Sequence, residues 1–227
     1  MFARISGRYD LLNHLLSLGI DRGWRRAAVR AAGPLEGGCV VDVCCGTGDL
    51  ALAFARARAR VLGVDFTPEM LRHAGPKRLD GERVVFANGD ALRLPVRDAS
   101  ADVVSVAFGV RNLADPVAGL REMARVVRPG GRVLVLECSP PPKGPVGACY
   151  NFYFTRVLPW IGGLISGDRE AYRYLPRTVV AWPPAEQVRE RMNSVGLVDC
   201  DYRALTGGVA YLHWGSVPAD FHGEPRG

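Results

Sequence analysis

At 227 residues, 48% apolar and 23% charged, the chain suits one soluble globular domain with room for an insertion. Its formal net charge of +6 comes almost wholly from arginine, since Lys77 and Lys143 are the only lysines among 29 basic residues. No basic run interleaved with aromatics appears, which argues against a nucleic-acid partner. No stretch of about 18 uninterrupted apolar residues exists either, which excludes a membrane-spanning helix.

Helical spacing dominates residues 1–33. Ile5, Tyr9, Leu12, Leu15, Leu16 and Leu18 recur at threes and fours, and a second amphipathic run follows through Trp24, Ala28 and Val29. Pro34 and Gly37-Gly38 end this N-terminal helical cap. Strands and helices then alternate. Residues 39–44 read as a short strand ending in a glycine turn, 50–57 as a helix, and 60–65 as a second strand. Thr67 is expected to cap the next helix with Pro68 at its first position. Residues 84–86 and 101–108 are the third and fourth strands. A helix over about 116–127 closes on the turn Arg128-Pro129-Gly130-Gly131 and leads to a fifth strand at 133–136.

Residues 140–184 interrupt the alternation. They open on Pro140-Pro141-Pro142 and carry Phe152, Tyr153, Phe154, Trp160 and Ile161, the composition of an aromatic helical insertion. It fits a groove for an apolar ligand, a membrane-surface contact, ordinary core or a homodimer contact. A helix over 185–195 and strands over 197–202 and 209–214, joined by Thr206-Gly207-Gly208, predict an antiparallel pair at one sheet edge. The polar, Gly- and Pro-containing residues 216–227 read as a flexible tail. The fold expected is α/β: one domain over 1–215 with a doubly wound, mostly parallel seven-stranded sheet and an antiparallel final strand. The six cysteines form no C-x-x-C pair and have no His at zinc-finger spacing, so no metal site is expected. Arg4, Arg8 and Asp10 interrupt any signal-peptide pattern, so the expected setting is cytoplasmic and reducing.

Chemistry concentrates after the strands. Cys45-Gly46-Thr47-Gly48-Asp49 lies between the first strand and a helix, where Gly46 and Gly48 let the backbone turn sharply and a ligand approach its N–H groups. Asp65 follows 19 positions after Gly46, at the end of the second strand, where a carboxylate accepts from both ribose hydroxyls. That pair admits NAD and S-adenosylmethionine alike. Asp90, in Gly89-Asp90-Ala91 after the third strand, is placed to meet an adenine amino group. Asp42, Asp49, Asp65 and Asp90 together form an acidic rim that suits a sulfonium and an ammonium better than a pyrophosphate. S-adenosyl-L-methionine is therefore the expected cofactor, with an NAD-dependent oxidoreductase and an RNA-binding scaffold as rivals. After the fourth strand, Ala107-Phe108-Gly109-Val110-Arg111-Asn112 lacks the Pro-Pro-aromatic motif of nucleic-acid amino-methylating enzymes. Arg111 and Asn112 there either orient a polar substrate oxygen or form a surface turn.

The chain resembles the ubiquinone/menaquinone biosynthesis C-methyltransferase family. The resemblance rests on Tyr9-Asp10 with Asn13, the loop Asp42 to Asp49, Phe108-Gly109-Val110-Arg111-Asn112, Arg125 to Gly131, Leu136-Glu137-Cys138-Ser139, Tyr172-Arg173-Tyr174-Leu175 and Thr206-Gly207-Gly208-Val209 with His213. It implies a class I, Rossmann-like methyltransferase acting on a prenylated hydroquinone such as demethylmenaquinol, or on another small aromatic or lipid-like acceptor. Asp42, Gly46, Thr47, Gly48, Asp65, Asp90, Ala91 and Ala107 are the implied cofactor contacts. Ala107 stands where the family has a Ser that can touch the cofactor, which leaves it backbone and van der Waals contact. Arg111 is implied to stabilise a developing phenolate, with Tyr9 assisting proton removal or closing the site. A polyprenyl acceptor further implies peripheral contact with the inner face of the membrane.

Overall fold

Valine-rich runs become strands because branched side chains pack well on a pleated surface buried on both faces. The computed structural model describes residues 19–140 and 177–219, and residues 17, 144, 147, 152 and 156 besides. In chain order these give helix α1 (Ile20–Ala31), strand β1 (Cys39–Val43), α2 (Asp49–Arg56), β2 (Arg60–Asp65), α3 (Pro68–Ala74), β3 (Val84–Asn88) and β4 (Ala101–Ala107). There follow α4 (Pro116–Val126), β5 (Val127–Cys138), α5 (Ala185–Ser194), β6 (Val198–Leu205) and β7 (Ala210–Ser216). Tyr9, most of the 140–184 insertion and residues 220–227 lie outside the described residues.

One seven-stranded sheet runs in the order β3-β2-β1-β4-β5-β7-β6. Strands β1 to β5 pair in parallel, and β7 lies antiparallel between β5 and β6. The mostly parallel sheet with an antiparallel final strand is the architecture the alternation predicted. Strand alternation divides the core between the two faces. Val41, Val43, Val104 and Val106 pack with Leu120 and Met123 of α4 and Val188 and Met192 of α5. Val40, Val103, Leu134 and Leu136 pack with Trp24 and Ala28 of α1 and Leu52 and Phe54 of α2. Full burial of a side chain such as Phe54 contributes about 1.5–3 kcal/mol.

Three local expectations change. Arg128 to Gly131 do not form a separate turn but lie within β5, because Val127 already pairs with Ala101 and a register shift carries the strand on to Arg132 opposite Val103. The presumed tail starts later than residue 216. Ser216 belongs to β7, and Val217 is buried and exchanges backbone hydrogen bonds with Gly130 and Gly131 at 2.9 and 3.0 Å. Thr67 stands at the N-cap of α3, yet its side chain makes no capping bond there. Its backbone N–H instead donates to Asp65 Oδ1 at 2.8 Å.

Helix α1 covers the α2 face and is anchored over long range at Trp24. Trp24 Nε1 donates to Thr206 Oγ1 at 2.9 Å in the β6–β7 turn, and the indole lies 5.9 Å from the Phe108 ring beyond β4. Residues 182 positions apart thus meet over the carboxyl ends of the parallel strands.

Candidate active site

The strand order reverses between β1 and β4, and open α/β sheets bind ligands outside the carboxyl ends of the strands at such a point. A cavity of about 340 Å³ opens there. Its walls are Cys44 and Gly46 after β1, Asp65, Phe66 and Thr67 after β2 with Met70 of α3, Gly89 to Leu92 after β3, and Ala107, Phe108, Gly109 and Asn112 to Ala114 after β4.

The glycine loop is shaped by backbone conformation. Cys44, Gly46 and Gly48 all have positive φ, at 53°, 55° and 80°. Gly48 N–H closes the turn on Cys45 O at 2.8 Å, and Cys45 N–H reaches Val64 O at 3.0 Å. A Cβ at Gly48 falls 2.7 Å from Phe86 Cζ, so both conformation and space demand glycine there. Asp65 ties this loop to the next one. Its Oδ2 accepts from Gly46 N–H and its Oδ1 from Thr67 N–H, each at 2.8 Å. A carboxylate has about four acceptor positions, so Asp65 can still receive two further donors from a ligand. Asp90 closes the third loop by accepting from Leu92 N–H at 2.9 Å.

The structure does not bring the four expected acids together. Asp65 and Asp90 line the cavity; Asp42 and Asp49 do not. Asp42 lies inside β1, 2% exposed, accepting from Ser105 Oγ at 2.7 Å on β4 and from the Ala51 backbone in the first turn of α2. Strand alternation turns it beneath the glycine loop, where burial pushes its carboxyl up to about 7. Asp49 opens α2 and pairs with Lys77 at 2.6 Å and Arg25 at 3.4 Å. Thr47 is buried in the loop, and Thr47 and Gly48 form no part of the cavity wall, whereas Gly46, Ala91 and Ala107 do.

On the β4 side Arg111 is buried behind the turn that follows the strand. Its side chain is 7% exposed and ion-paired with Glu137 at the end of β5. It also donates to Phe108 O at 2.9 Å and to Thr178 Oγ1 at 3.4 Å. The cation expected to await a substrate oxygen thus already has a carboxylate partner, and its neighbour Asn112 is the one that lines the cavity. Gly109 lets the turn pack against the residue after β1, since a Cβ there meets Cys44 Cβ at 2.4 Å. Cys44 itself offers no nucleophile, because burial and the nearby Asp65 and Asp42 carboxylates push its thiol well above the ordinary range.

Sequence reasoning missed three residues. Phe66 lines the cavity beside Asp65 while 75% exposed, and Met70 packs under the loop with its Cε 3.4 Å from a Cβ placed on Gly46. An aromatic directly after a strand-end acid was the available signal for Phe66. Glu137 was hidden in an apolar strand, where a lone buried carboxylate is the anomaly to notice. Among the described residues no group of three or more His, Cys, Asp or Glu is arranged to hold a metal ion. No helix of these residues is long and apolar enough to cross a membrane.

The family to which the chain belongs makes it an S-adenosylmethionine-dependent methyltransferase. The chain belongs to the ubiE/COQ5 methyltransferase family, whose model matches residues 1–217. It is 49% identical over 216 residues to the demethylmenaquinone methyltransferase of Deinococcus radiodurans, covering 92% of this chain and 88% of that one. It is 48% identical over 221 residues to the protein of the same name from Thermus thermophilus, covering 96% of this chain and all of the relative. Among solved structures, it resembles a SAM-dependent methyltransferase from Aquifex aeolicus with a TM-score of 0.62, over 85% of this chain and 89% of that one. At 18% identity this last likeness concerns the fold alone.

Proposed function

We propose that the chain methylates a ring carbon of a prenylated hydroquinone, demethylmenaquinol first among them, with S-adenosyl-L-methionine as donor. The observation that carries this reading is the cavity itself, with Asp65 and Asp90 on one wall and the Phe108–Asn112 turn on the other. The names of relatives nearly half identical across the chain supply the acceptor class.

The residues present fit the donor. Asp65, with acceptor positions to spare, receives the ribose hydroxyls. Asp90 meets the adenine amino group, and Phe66 and Ala91 cover the ring plane. Gly46 presents backbone to the amino-acid end, with Thr47 and Gly48 shaping the loop behind it and Ala107 in van der Waals contact. Asp42 supports the loop from below through Ser105 and Ala51 without touching the ligand. When bound, S-adenosylmethionine supplies a methyl group on a sulfonium centre. On the opposite side, Asn112 on the wall and Arg111 behind it orient the acceptor oxygen and favour its ionised form, which makes the adjacent ring carbon nucleophilic. Tyr9, assigned proton removal or site closure, completes the proposal.

This reading makes the partner a small prenylated quinol and not a nucleic acid. It places the enzyme in the cytoplasm with access to the inner face of the membrane, with the 140–184 insertion as acceptor cap and a homodimer as the assembly to test. Incubation with trideuteriomethyl-labelled donor and a short-tailed demethylmenaquinol, followed by mass spectrometry, tests it. Label on the ring carbon is expected. Label on oxygen, or none, overturns the acceptor assignment.

A further inference from the structure

Glu137, next to last in β5, is a buried carboxylate, 1% exposed, that follows the apolar run Val133 to Leu136. Both of its bonds fall on one oxygen. Oε1 receives Arg111 Nη1 and the Cys138 N–H, the latter at 3.0 Å. Oε2 is buried and makes no hydrogen bond of its own, although the Arg111 backbone N–H also acts on the carboxylate. Burial pushes this carboxyl up while the Arg111 charge pulls it down.

Stability alone does not account for such a group. A buried ion pair is often no better than apolar residues of the same volume, and a buried acceptor without a donor is a net cost. The pair's location supplies a different account. Arg111 joins the ends of two strands: its guanidinium binds Phe108 O after β4, Glu137 at the end of β5, and Thr178 in the helical residues 177–181. Phe108 is part of the cavity wall, so the pair stands directly behind the surface that meets the acceptor.

We infer that Glu137 is a positioning residue for methyl transfer, fixing the Arg111 guanidinium against the Phe108 carbonyl so that the 108–112 turn meets the acceptor in one geometry. The inference rests on the methyl-transfer reading above.

The test uses the full chain, with short-tailed demethylmenaquinol as acceptor. Glu137→Gln keeps the volume and the Oε1 acceptor but removes the charge. Its kcat is expected to fall about tenfold or more, with cofactor affinity within about twofold of wild type, because a group that acts only through Arg111 does not touch the donor site. In an Arg111→Gln background the same change should add less than about twofold further loss, as coupled neighbours do. If Glu137→Gln does not fold, Glu137→Asp carries the same test, since it retains charge but withdraws the oxygens by one methylene. Wild-type kcat in the single variant, or losses that multiply in the double variant, overturns the inference. Failure of the wild-type chain to methylate the quinol defeats the functional reading instead, and with it the reason for placing Glu137 behind the site.

Discussion

The two walls of the cavity are held by different means. On the β1–β3 wall, acids fix nearby backbone: Asp65 binds the N–H groups of Gly46 and Thr67, and Asp90 that of Leu92. On the β4–β5 wall, side chains hold side chains over long separations. Arg111 meets Glu137 26 positions away and Thr178 67 positions away. The first wall is thus pre-shaped by short loops and suits one invariant donor. The second depends on a buried, incompletely satisfied ion pair and on Thr178.

Breaking the first wall should give the largest effects. Gly48→Ala forces a Cβ to 2.7 Å from Phe86 at φ 80°, and overpacking with backbone strain should cost about 3 kcal/mol of unfolding free energy in urea denaturation. A loss under about 0.5 kcal/mol means that the loop yields easily. Asp65→Ala removes two loop bonds and the proposed ribose contacts, so donor affinity by calorimetry should fall about 100-fold, near 2.7 kcal/mol.

Titration sharpens the comparison from beneath each wall. His213, on β7 with Nε2 3.1 Å from Ala185 O, is held neutral by burial at about 4 against an ordinary 6.5. Below pH 6.5 the unfolded chain therefore binds a proton that the folded chain refuses, and this contribution to stability falls as pH drops toward 4. Asp42 has the opposite sign. Burial raises it from 3.8 to about 7, so its contribution falls as pH rises through that window. The two slopes oppose each other in wild type. His213→Phe should remove the first and regain about 2 kcal/mol at pH 5 relative to pH 7, read from denaturation midpoints. An unchanged pH dependence contradicts a buried neutral His213. The smallest effect belongs to a pair on neither wall. Arg58 and Glu36 are 3.1 Å apart but both 79% exposed, and removing either should shift stability by less than about 0.5 kcal/mol.

How much of this was legible in the sequence follows from the range of the forces involved. The strands and their order class were readable because Val-rich runs and glycine turns act locally, and β1 to β5 came out within a few residues of expectation except where Arg128 to Gly131 joined β5. Asp65 and Asp90 were readable because a strand-end acid is defined by its own segment. Asp42 was misplaced because strand alternation, not proximity to the loop, decides where its side chain goes. Arg111 was found but its partner was not, since nothing local to residue 111 announces Glu137. The tail was misjudged for a similar reason: Val217 is held by Gly130 and Gly131, 86 or more positions earlier.

Calorimetric titration of S-adenosylmethionine into Asp65→Ala and Arg111→Ala, run side by side with turnover on the short-tailed quinol, tests the division of labour most directly. The account predicts that Asp65→Ala loses donor affinity. Arg111→Ala should bind the donor as wild type does while its kcat falls about 100-fold. Equal loss of donor affinity in both variants would contradict it.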